Sequence, residues 1–86
     1  MEKHLQESII DKHIGNVLRV RRRQLGMNQK YLAERLGLTF QQIQKYERGI
    51  NRISASTLIS ILKILEVDPQ YVFDGLSRPN EPTSGS

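Results

Sequence analysis

The chain has 86 residues, a net charge of +4 and no cysteine. That is enough sequence for one small domain, and it excludes disulfides and any cysteine-based metal site. Two histidines, His4 and His13, and nine scattered acids make no catalytic or metal-binding constellation, so no enzyme activity, metal or cofactor is expected.

No apolar run approaches the ~20 residues that span a membrane, and the first residues carry no stretch of signal-peptide type. A soluble cytoplasmic protein is the expectation. Charge placement is more informative than its total. Residues 11–53 hold ten Lys or Arg against three acids, whereas residues 54–76 hold one Lys against three acids. Basic charge segregated into one half of a domain is the footprint of a face that binds a polyanion.

Residues 1–10 are mixed and polar, with Leu5, Ile9 and Ile10 as apolar anchors, and read as a frayed or partly helical arm. A first helix is predicted over 11–24. Ser8 or Asp11 would cap it, Ile14, Val17, Leu18 and Leu25 form its core stripe, and Gly26 stops it. Asn28 can cap a second helix over 29–36, in which Leu32, Ala33 and Leu36 share a face. Gly37 then suits the left-handed end of that helix. Thr39, with Gln42 three residues on, makes a capping box for a third helix over 40–47. Ile43 and Tyr46 are that helix's apolar face. Its other face carries Phe40, Gln41, Gln44, Lys45 and Arg48.

A fourth helix should start after Ser54 and end near Leu65, with Leu58, Ile61, Leu62 and Leu65 facing the core and Ile59 and Ile64 off that stripe. A short fifth helix follows, capped by Asp68, with Pro69 in its first turn and Gly75 at its end. Tyr71, Val72, Phe73 and Leu76 are more apolar groups than so short a surface helix needs. Some should bury against the first and fourth helices. The remainder, drawn from Tyr71, Phe73 and Leu76 with Ile59 or Ile64 beside them, is the candidate dimer patch; the alternative is a fully intramolecular mini-core. Residues 77–86 can bury nothing and are expected to be a disordered tail. The glycines read as punctuation, and no repeats are visible.

Two short helices around Gly37, with small Ala33 where they would cross, resemble the DNA-binding helix-turn-helix, specifically the lambda-repressor-like (phage repressor and Cro) family. Leu-Gly-Met-Asn-Gln at 25–29 and Tyr-Glu-Arg-Gly at 46–49 sharpen the resemblance, which covers residues 11–76. The string Thr-Phe-Gln-Gln-Ile-Gln-Lys-Tyr-Glu is also similar to a mostly alphaproteobacterial regulator subgroup. The resemblance implies an all-α, five-helix DNA-binding domain with a recognition helix at 40–47. Its implied role is a sequence-specific transcriptional regulator, working as a homodimer on a two-fold operator in double-stranded DNA.

Residue roles follow from the resemblance. Arg22 and Glu47 match a structural pair that fixes the first helix against the third. Gln29 matches a glutamine that contacts phosphate and buttresses the recognition helix. Asn28 and Thr39, at helix amino ends, join the phosphate contacts, as do Arg48, Asn51 and Arg52 in the loop after the recognition helix. Arg19, Arg21 and Arg23 read as surface charges. Gln41, Gln44 and Lys45 would read base edges. Phe40 stands where phage repressors often carry a polar base-reading residue; it would either touch thymine methyl groups or pack on its own fold. Two rivals remain: an antitoxin that represses its own operon, and a protein-interaction module that no longer binds DNA.

Overall fold

The computed structural model describes residues 2–76; the expected tail at 77–86 lies outside them. Five helices follow one another among the described residues: α1 (Glu2–Gln24), α2 (Gln29–Leu36), α3 (Phe40–Arg48), α4 (Ala55–Leu65) and α5 (Pro69–Asp74). The fold is all-α.

Local chemistry explains most of the boundaries. Asn28, Thr39, Ser54 and Asp68 each accept a hydrogen bond from a first-turn amide of the helix that follows, satisfying donors that have no partner within the helix. Thr39 and Gln42 form the reciprocal capping box. Gly37 closes α2 in the left-handed conformation, φ 69°, and the Leu38 amide reaches back to the Ala33 carbonyl at 2.9 Å. Two boundaries differ from expectation. α3 runs one residue further, to Arg48. α1 starts at Glu2, so Ser8 and Asp11 lie inside the helix and cap nothing. Residues 2–10 contain several straight-chain helix formers and neither glycine nor proline, so nothing stops the helix there.

The core gathers Leu18 from α1, Leu32 and Ala33 from α2, Ile43 from α3, Leu58, Ile61, Leu62 and Leu65 from α4, and Val72 from α5. Each fully buried Leu, Ile or Val contributes about 1.5–3 kcal/mol relative to exposure. Ile14, Val17, Leu25, Leu36, Leu38, Tyr46 and Ile64 pack around this centre, half-buried. α5 gives the core Val72 alone, and leaves Tyr71 and Phe73 66% and 52% exposed. His13 ties α5 to α1, its Nε2 lying 3.0 Å from the Val72 carbonyl oxygen.

Not every glycine is punctuation. Gly15 lies buried in the middle of α1. A Cβ there would run into the Tyr46 carbonyl oxygen and sit 2.6 Å from that of Glu47. Gly49, with φ 72°, lies against α1 in the same way, since its Cβ would be 2.7 Å from the Lys12 Cα. The carboxyl end of α3 and the loop after it therefore rest directly on the α1 backbone.

Candidate nucleic-acid interface

α2, the turn at Gly37–Thr39 and α3 form one unit. α3 is held from behind by Ile43, which is fully buried, by Tyr46, half-buried, and by Glu47. Glu47 is a charged residue only 4% exposed, and Arg22, its partner on α1, is 6% exposed. The two meet as a fork: Arg22 Nε donates to Glu47 Oε2 at 2.6 Å and Arg22 Nη2 to Oε1 at 3.0 Å. Arg22 Nη1 donates to the Met27 carbonyl at 2.7 Å. Gln29 Nε2 donates to Glu47 Oε1 at 2.9 Å. One carboxylate thus joins α1, the amino end of α2 and the carboxyl end of α3. No buried side-chain nitrogen or oxygen among the described residues lacks a hydrogen bond, as a charged group this far from water requires.

On the outer side of α3, Phe40, Gln41, Lys45 and Arg48 are exposed, and Gln44 is half-buried. Gln42 turns back into the capping box, its Oε1 accepting from the Thr39 amide at 2.8 Å. The Thr39 hydroxyl is engaged there as well, accepting from the Gln42 amide at 3.1 Å and donating to Gln42 Oε1 at 3.2 Å. The Asn28 side-chain oxygen is likewise taken, by the Tyr31 amide at 2.7 Å. Asn28 and Gln29 keep amide protons to offer a ligand; Thr39 must first give up its proton contact to Gln42.

Asn51 and Arg52 are exposed in the loop after α3. Arg52 is ion-paired with Asp11 of α1, Nε to Oδ2 at 3.7 Å, a link that no local signal announces. Arg21 is more engaged than a surface charge: its Nε donates to the Leu65 carbonyl at 2.9 Å, at the end of α4. Tyr31 and Arg35 pair on the open face of α2, Arg35 Nη1 donating to the Tyr31 hydroxyl at 2.9 Å.

Helix, glycine turn and pinned second helix with a polar outer face constitute a helix-turn-helix. A helix-turn-helix family model matches residues 18–72, from the middle of α1 into α5. The chain belongs to the lambda-repressor-like helix-turn-helix family. An HTH-type transcriptional regulator of Sinorhizobium medicae is 49% identical over 74 residues, which cover 86% of this chain and 53% of the relative. A transcriptional regulator in the ATPase CF(0) region of Rhodospirillum rubrum is 54% identical over 69 residues, covering 80% of this chain and 64% of that protein. An HTH-type regulator of Rickettsia conorii is 41% identical over 73 residues, covering 85% and 58%. This member of the helix-turn-helix family thus spans between half and two thirds of the length of these relatives. No helix among its described residues is long and apolar enough to cross a membrane.

Proposed function

We propose that this helix-turn-helix chain is a sequence-specific transcriptional regulator that inserts α3 into the major groove of double-stranded DNA. The observation that carries the reading is the division of α3 into two sides. Its inner side is locked to α1 and α2 through Glu47. Its outer side offers Phe40, Gln41, Gln44 and Lys45, of which Gln41, Phe40 and Lys45 are exposed. A groove-reading element needs that combination: a rigid mount, and side chains with donor and acceptor capacity to match base edges.

Phosphate contacts would come from Asn28, Gln29 and Thr39 at the helix amino ends, where free amides and the helix dipole favour an anion, and from Arg48, Asn51 and Arg52. Such contacts set register and affinity but carry no sequence information. The chain would act as a homodimer on a two-fold operator, its half-site centres about one helical turn (~34 Å) apart. Ile59, Tyr71 and Phe73, all exposed, with half-buried Ile64 and Leu76, supply apolar surface for self-association.

Selection of binding sites from random duplex DNA at fixed salt tests the reading. The expected product is an inverted repeat. Weak, salt-sensitive binding with no recovered motif would overturn base reading by α3. A single unrepeated half-site would overturn the dimer.

A further inference from the structure

Phe40 is the one outer-face residue of α3 whose side chain can form no hydrogen bond, yet the residue is 43% exposed at the first position of the helix. It lines a shallow groove together with Ala33 and Leu38, edged by Lys30, Glu34 and Gln41. Phe40 is therefore partly covered by its own fold without being absorbed by it. Beside it, the Gln41 side chain is exposed.

A partly exposed apolar edge in the major groove has few counterparts. Base edges there present nitrogen and oxygen donors and acceptors; the apolar feature is the C5 methyl of thymine. We propose that Phe40 makes this protein a reader of C5-methylated pyrimidine, so that binding depends on a methyl group at one position of each half-site. The inference rests on α3 being the helix in the groove. It adds a chemical class of ligand: a duplex whose affinity changes when a single methyl is removed and every base pair is kept.

The test uses the full chain and its selected duplex, with each thymine replaced in turn by uracil, which removes the methyl and leaves base pairing intact. Binding is followed by fluorescence anisotropy at fixed salt. One position per half-site should weaken binding about fourfold, the worth of burying one methyl-sized group, and the remaining positions should change little. With Phe40→Ala, thymine and uracil duplexes should bind alike. A flat uracil scan on the unaltered protein overturns the proposal while leaving α3 as the reading helix. So does a uracil penalty that survives in Phe40→Ala. Failure to select any motif removes the α3 reading and this proposal with it. If Phe40→Ala does not fold, Phe40→Gln takes its place in the same comparison, with the same outcomes.

Discussion

Replacing Glu47 by alanine tests how the domain is held together. Its carboxylate accepts three hydrogen bonds, two from Arg22 and one from Gln29, at 2.6–3.0 Å. Glu47→Ala leaves the Arg22 guanidinium buried with only the Met27 carbonyl as partner. Removing one side of a buried pair costs about 3–5 kcal/mol, because the remaining charge stays out of water. A domain of this size has roughly 4–13 kcal/mol in all, at ~0.05–0.15 kcal/mol per residue. The variant should lose about a quarter of its stability or more. At about 4–8 °C per kcal/mol for a domain this small, the melting temperature should fall by at least about 12 °C. Circular dichroism during heating and a urea titration measure both quantities. The double variant Arg22→Met, Glu47→Leu should recover most of the loss, since an apolar pair of similar volume can replace a buried ion pair with little penalty. A cost below about 1 kcal/mol for Glu47→Ala, the level of a surface pair, would refute the argument.

Gly15→Ala should destabilise by about 1–3 kcal/mol in urea, although alanine is the better helix former by about 1 kcal/mol; a gain would mean that α1 and α3 are not in contact at the backbone. Gln41→Ala should cost about 1–3 kcal/mol on the selected site and little on random duplex, and equal losses on both would remove its base-reading role. For Arg52→Ala the slope of log affinity against log salt should fall by about one; an unchanged slope would take Arg52 off the phosphate list. Asp11→Asn removes the carboxylate that offsets that arginine and repels phosphate, and should tighten binding to random duplex, on the order of threefold. Unaltered affinity would detach Asp11 from the DNA face.

Helix ends were legible because their causes are local. Asn28, Thr39 with Gln42, Ser54 and Asp68 announce caps within three residues of the amides they satisfy. Ile43 and the α4 leucines were legible through helical spacing. What escaped depends on chain segments far apart. Gly15 looks like an ordinary, slightly unfavourable helix residue until α3 is laid across it. Asp11 reads as a cap, and becomes the partner of Arg52 only when the loop after α3 folds back onto α1. Glu66 ends α4 in the left-handed region at φ 58°, where a glycine would have been the local signal. For the site, the side-chain types on α3 and the caps at Asn28 and Thr39 were readable, whereas the half-burial of Gln44 shows only in the fold.

α3 is mounted unequally along its length. Its carboxyl end is bolted to α1 by the Glu47 fork and by the backbone contact at Gly15. Its amino end, with Phe40 and Gln41 exposed, is held by its own capping box and by buried Ile43 one turn on. The groups proposed to meet DNA at that end, Phe40 and Gln41, thus stand about two helical turns from the Glu47 anchor. In the proposed complex, a substitution that loosens the anchor would misplace both without touching either.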